Sequence, residues 1–205
     1  MRLILVRHGE TDWNQQNRVQ GRRDIELNAL GRRQAEAVAQ ALKAEHVEAI
    51  YSSPLKRALE TARAVERFHR AEVVPLDDLK ELDVGELDGL TFTEMRERHG
   101  EFLKLWREDI AGQIFPGGSC MRDLQNTACA SIERIAARHP QGRVVVVSHN
   151  FVILSIICRL MEIDLRHMRR LRMQVAGITT LDLDGGATRL VTFNEICHLE
   201  NLAAT

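Results

Sequence analysis

The 205-residue sequence carries no excess of either charge: 28 Lys and Arg stand against 29 Asp and Glu, a formal net charge of −1. Nucleic-acid binders usually carry a basic surplus, so that partner class is disfavoured, while a local cationic pocket for a small anion is still allowed. Cysteine is scarce. Cys120, Cys129, Cys158 and Cys197 form no CxxC pair and fit no zinc finger or ribbon, so they are expected to be small buried or half-buried thiols in a reducing compartment. Long apolar runs are also missing. The run Leu3 to Val6 is shorter than the ~7–15 residues of a signal-peptide core. Phe151 to Cys158 is interrupted by Ser155 and falls short of the ~20 residues that cross a bilayer. There is no internal repeat, low-complexity tract or Pro/Gly/Ser-rich linker. The expectation is a cytoplasmic protein without a membrane or nucleic-acid partner.

With 44% hydrophobic and 28% charged residues, the composition is that of an ordinary globular protein. The length implies one domain, 1–205, and a chain of this size buries about 70% of its unfolded surface, enough to fold without a disulfide or structural metal.

Strand and helix signals alternate along the chain. Leu3 to Val6 reads as a short buried strand. Gly31 to His46 reads as a helix with Ala35, Val38, Ala39 and Leu42 on one face. Val47 to Tyr51 is a second strand. Pro54 is placed to open the next helix, running to about His69 with Leu55, Leu59, Ala62, Val65 and Phe68 on its apolar face. Glu72 to Pro75 is a third strand. Residues 88–123 are less regular and lid-like, with helix expected at Phe92 to Arg107. A helix follows at Met121 to Arg138, then the strongest strand signal, Arg143 to Val147, and a helix from Phe151 to Met161. Two last strands, Gly177 to Asp184 and Thr188 to Phe193, flank Gly185-Gly186 as a hairpin. The pattern predicts an α/β fold with a three-layer α/β/α arrangement and a mostly parallel central sheet.

In such sheets ligands bind beyond the carboxyl ends of the strands. The first strand ends in Arg7-His8-Gly9-Glu10-Thr11, the strong later one in Ser148-His149-Asn150, and the second in Ser52-Ser53-Pro54 with Arg57 just beyond. If these strands are parallel neighbours, two histidines and two arginines converge. Arginine is a planar donor fork suited to phosphate oxygens. Helix N-termini add free amides, and imidazole serves as nucleophile or donor. An acid is still needed for the leaving oxygen. Glu81 is a candidate, though spacing alone does not select it from Asp83, Glu86 and the rest. No HxxxH, HExxH or Asp/His cluster argues for a metal. The run Arg166-His167-Met168-Arg169-Arg170-Leu171-Arg172 is either a solvated face or a rim that attracts anions.

Arg7-His8-Gly9-Glu10-Thr11 resembles the signature of the histidine phosphatase superfamily, the phosphoglycerate mutase-like proteins. Further elements follow in that family's order: Asn14; Gln20-Gly21, Asp24 and Leu27-Asn28-Ala29-Leu30-Gly31; Gln34-Ala35; Ser52 to Ala58 with Thr61-Ala62; Glu81 to Gly89; and Val147-Ser148-His149. The resemblance implies that His8 is the nucleophile and becomes a phosphohistidine. It implies that Arg7, Arg57 and His149 hold the phosphate oxygens with Asn14, that the backbone N–H of Asn150 also faces them, and that Gln20 and Gly21 lie on the substrate side. Glu81 is then the proton donor and later the base for water. No cofactor or metal is expected, the partner is a small phosphorylated metabolite, and a homodimer is compatible with the family. Asn150 departs from a frequent Gly, Gly117-Gly118-Ser119-Cys120 departs from a Gly-Gly-Glu-Ser run, and Val84 stands near a position that is polar in metal-independent phosphoserine phosphatases. The expected activity is a phosphomonoesterase. The alternatives are a phosphoglycerate mutase, disfavoured by the short 88–123 segment, and a non-catalytic phosphate-binding module.

Overall fold

The computed structural model describes residues 1–202; residues 203–205, the tail of the expected domain, lie outside the described residues. Six strands form one sheet in the order β3-β2-β4-β1-β5-β6, with β1 at Arg2–Arg7, β2 at Ala49–Ser52, β3 at Val73–Pro75, β4 at Arg143–Ser148, β5 at Ile178–Asp184 and β6 at Ala187–Glu195. The first four are mutually parallel; β5 runs antiparallel to β1, and β6 closes the sheet antiparallel to β5. The expected three-layer, mostly parallel architecture is therefore present, with the late hairpin as its antiparallel margin.

Side-chain alternation divides the core between the two faces. Ile4, Val6, Ile50, Val145 and Val147 pack with Val38, Ala39, Ala58, Ala62 and Val65 of α2 (Ala29–Leu42) and α3 (Lys56–Glu66). Leu3, Leu5, Tyr51, Val144 and Val146 pack on the other side with α4 (Phe92–Glu108), α5 (Met121–Arg138) and α6 (Asn150–Leu160). The short helix α1 spans Asp12–Gln15. Segment 88–123 contributes buried Met95, Phe102, Leu103, Ile110 and Phe115 to the second face, and α4 is kinked at His99.

Two expectations about the helices need correction. Pro54 does not open α3: the helix starts at Lys56, because Leu55 stays extended and the Lys56 amide is capped at 2.7 Å by the remote carboxylate of Asp24. The inward face of α3 also differs. Leu59 is only partly buried and Phe68 is 40% exposed, while Arg57 and Thr61 are fully buried beside Ala58, Ala62 and Val65. Polar residues occupy the face that apolar periodicity alone would assign to the core. Cys120, Cys129 and Cys158 are buried free thiols, but Cys197 is exposed, contrary to expectation. Burial pushes the Cys129 and Cys158 thiols up to about 11.

Register places the site. Arg7 of β1 pairs with Ser148 of β4, and Ser52 of β2 pairs with Val147 of β4. Three adjacent parallel strands therefore end at one level, and the residues that follow them meet.

Candidate active site

A hollow of about 370 Å³ opens at these strand ends. Of the residues singled out in the sequence, Arg7, His8, Asn14, Gln20, Glu81 and Asn150 line it. Arg57 and His149 are fully buried and lie behind His8, not in its wall. Gly21 does not line the hollow either, which corrects its expected place. Its carbonyl accepts Arg57 Nη2 at 2.7 Å, and its amide is held by Asp88.

His8 is almost completely buried, and its Nδ1 lies 2.7 Å from the carbonyl oxygen of Gly9. A carbonyl only accepts, so Nδ1 carries the proton and Nε2 keeps a free lone pair. Burial holds the ring well below the ordinary histidine range, and the charges of Arg57 and Arg7 push it the same way. The loop after His8 is fixed by residues of the family pattern. Thr61 Oγ1 accepts the Gly9 amide at 3.2 Å, Gln34 Oε1 accepts the Glu10 amide at 2.8 Å, and Asn28 caps α2 while binding Glu10 Oε1. Gly9 and Gly31 touch backbone to backbone: a Cβ on Gly9 would stand 2.5 Å from the Gly31 carbonyl oxygen.

His149 carries its proton on the other nitrogen. Arg57 Nε, always a donor, reaches His149 Nδ1 at 3.2 Å, so Nε2 bears the hydrogen and donates to Ser53 Oγ at 2.7 Å. Burial first, then Arg57, keeps this ring neutral as well. Arg57 donates in addition to the carbonyls of Arg23 and Gly21. Desolvation lowers both the Arg57 and Arg7 guanidiniums to about 10, still charged at neutral pH.

Two donors at the wall lack partners. Arg7 donates through Nη1 to the Met173 carbonyl at 2.6 Å, yet its buried Nε is unpartnered, as is Gln20 Nε2. Asn14 Oδ1 is taken by the amide and hydroxyl of Thr11, which leaves the Asn14 amide hydrogens free. Buried donors without partners are costly unless something fills them; here they bound a hollow fit for an oxyanion.

Of the competing acids, only Glu81 lines the hollow. Asp83 caps Gly85 and faces Arg22 at 3.5 Å, and Glu86 is exposed. Glu81 accepts from the amides of Leu82 at 2.8 Å and Phe151 at 3.2 Å. Burial nevertheless raises its carboxyl above the ordinary range, outweighing those amides and the two guanidiniums. Asn150 opens α6 and borders the hollow. The other departures lie elsewhere: Ser119 binds the Asp83 carbonyl, Cys120 precedes α5, and Val84 is buried in the core. Among the described residues no group of three or more His, Cys, Asp or Glu is placed to hold a metal ion, and no helix is long and apolar enough to cross a membrane.

Sequence reasoning missed the partner role of Ser53 and the Phe151 amide that holds Glu81. Ser53 was visible as a strand-end serine; the amide has no side-chain signature. Phe151 itself, with Arg18, Val19, Leu154, Leu171, Arg172 and Met173, completes the wall.

Known proteins resemble this chain in sequence and in fold. The pattern of the histidine phosphatase superfamily (branch 1) matches residues 3–196. Phosphoserine phosphatase 1 of Hydrogenobacter thermophilus is 33% identical over 199 residues, covering 97% of this chain and 94% of its own. The metal-independent phosphoserine phosphatase of Arabidopsis thaliana is 39% identical over 163 residues, 78% of this chain and 68% of its own. A mutant phosphoserine phosphatase from Entamoeba histolytica, solved in complex with phosphoserine, superposes with a TM-score of 0.88 at 32% identity, covering 97% of this chain and 98% of that one.

Proposed function

The chain belongs to the histidine phosphatase superfamily, and from that premise we propose that it hydrolyses a small phosphomonoester, without a metal, through a phosphohistidine on His8. The observation that carries this reading is the Nδ1–H of His8 donating to the Gly9 carbonyl, which leaves an unprotonated Nε2 facing buried cations. In the first step that lone pair attacks phosphorus and a P–N bond forms as the P–O bond breaks. The leaving oxygen takes the proton of Glu81, whose raised carboxyl is suited to hold one. In the second step the Glu81 carboxylate takes a proton from water, the oxygen attacks phosphorus, and the P–N bond breaks to release phosphate and restore His8. The Gly9 carbonyl stabilises the positive ring throughout.

Arg7, Asn14 and the amide of Asn150 bind the phosphoryl oxygens, and Gln20 adds a donor from the substrate side. Arg57 and His149 lie behind His8, engaged with Gly21, Arg23 and Ser53, and Arg57 adds its positive charge to the cradle from within. Fixed donors of this kind stabilise the charge spread over a transferring phosphoryl group. The fitting partner is a small phosphorylated metabolite.

The test follows phosphate release and isomerisation separately, with p-nitrophenyl phosphate and 3-phosphoglycerate, in the presence of EDTA. The expected outcome is phosphate release without isomerisation, unaffected by EDTA, and an acid-labile, alkali-stable phosphoenzyme that His8→Ala abolishes. A label retained in that variant would refute the nucleophile assignment. Activity lost to EDTA and restored by a metal would refute the metal-free step.

A further inference from the structure

The hollow at His8 opens into a second concavity of about 580 Å³, lined further by Glu10, Asn17, Phe92, Met95, Gln174 and Val175. The two share Arg7, Asn14, Arg18, Val19, Arg172 and Met173. Most charged groups of the shared and outer walls are already engaged within the protein. Arg18 Nη1 donates to the Gly89 carbonyl at 2.7 Å and faces Glu94 at 3.4 Å. Glu10 accepts from Asn28 Nδ2 at 2.9 Å, and Arg7 is held by the Met173 carbonyl.

Arg172 stands apart. It is exposed, borders both concavities, and has no hydrogen-bond or ion-pair partner among the described residues. Its backbone is nonetheless strapped down. The preceding Leu171 amide donates to the Met168 carbonyl at 3.0 Å. On the other side, the carbonyl of the following Met173 holds Arg7, and the Gln174 amide donates to Asn194 Oδ1 at 2.7 Å. The same segment thus bears the unpaired arginine and, through the Met173 carbonyl, holds Arg7 of β1. The fixed backbone sets where the guanidinium starts from, and its planar fork matches the two oxygens of a carboxylate or phosphate.

We propose that Arg172 recognises a second anionic group on the alcohol portion of the substrate, so that the preferred substrates are small phosphomonoesters bearing a further carboxylate or phosphate. The inference rests on the phosphatase reading of the inner hollow. With the phosphoryl group at His8 and the ester oxygen toward Glu81, the remainder of the substrate runs outward past Val19 and Met173. Arg172 is the free charge it meets there. The basic run of residues 166–172 is then more than a solvated face, because one of its members projects over the site. Arg166 is paired with Asp164 and Arg169 lies over the Trp106 ring, so neither is equivalent to it.

The test compares kcat/KM for two matched pairs: 3-phosphoglycerate against glycerol 3-phosphate, and propane-1,3-diol bisphosphate against its monophosphate. The first pair reads carboxylate and the second phosphate. The wild-type protein is expected to prefer the more anionic member of at least one pair by roughly tenfold, the scale of one hydrogen bond to a charged group. Arg172→Met should bring that ratio close to one. Arg170→Met removes the same charge from an exposed neighbour that borders neither concavity, and should preserve the ratio. A ratio retained in Arg172→Met, a ratio lost equally in Arg170→Met, or no preference in the wild type overturns the assignment while leaving the hydrolase reading intact. Failure of every ester to release phosphate overturns the hydrolase reading, and this inference with it.

Discussion

The imidazoles of His8 and His149 lie with ring centroids 5.2 Å apart and planes tilted by 58°, yet they carry their protons on opposite nitrogens. One ring is locked by a carbonyl acceptor and exposes a lone pair. The other is locked by a guanidinium donor and gives its hydrogen to Ser53 Oγ. Neutral nucleophile and neutral donor are thus set side by side by groups that cannot exchange roles.

Replacing Glu81 should separate substrates by their leaving group. Glu81→Gln keeps the shape but has no proton to give. For an alkyl phosphate, kcat is expected to fall by about 10²- to 10⁴-fold, the usual contribution of general acid catalysis. For p-nitrophenyl phosphate, whose phenolate departs unaided, the fall in the phosphorylation step should be much smaller. Steady-state rates with both esters, and the phosphorylation burst with the second, measure this. Equal losses in the burst and in alkyl ester turnover would reject Glu81 as the acid.

Arg57 donates from three different nitrogens at once, to His149 Nδ1, Arg23 O and Gly21 O. A lysine ammonium cannot span those directions. Arg57→Lys should therefore lower kcat/KM by about 10²-fold, on the scale of losing one well-placed donor, and lower the Tm as the 21–23 loop loosens. Kinetics and thermal melting read the two effects, and a variant indistinguishable from wild type would contradict both.

Stability should fall as pH drops below neutrality. His8 and His149 are held well below the ordinary 6.5 in the folded chain, so the unfolded chain takes up protons that the folded one does not. Their contribution is complete above about 6.5 and is lost progressively below it, with a limiting slope of about 1.4 kcal/mol per pH unit for each ring. Glu81 acts in the opposite sense. Its raised carboxyl keeps a proton in the folded chain where the unfolded one is ionised, so it favours folding as pH falls toward 4.5. Two rings outnumber one carboxyl. Denaturant midpoints between pH 7 and 5 should decline, and less steeply in His149→Asn; a flat profile would show that the rings titrate alike in both states.

Much of this was legible in the sequence because the reactive groups lie at strand ends. Alternating strand and helix signals predict the parallel sheet, and the sheet then brings Arg7-His8 and His149 together. Thr61, Gln34 and Asn28 were visible as members of the family pattern, and the structure explains them as props of the Glu10 loop. What could not be read is decided by tertiary geometry. Nothing local says that Gly21 turns its carbonyl to Arg57 instead of facing a ligand. Nothing in the spacing of Leu55, Leu59 and Phe68 reveals that α3 turns Arg57 and Thr61 inward. Arg172 belongs to a run of similar charges, and only the fold distinguishes it from Arg170.

The pairing of Arg7 with Ser148 has an evolutionary corollary. Neighbouring side chains on a strand point to opposite sides, so adding or deleting one residue within positions 2–7 would seat the imidazole where the guanidinium belongs and bury the wrong apolar set on each face. The opening segment should therefore accept exchanges of one aliphatic residue for another, while its length is held constant through descent.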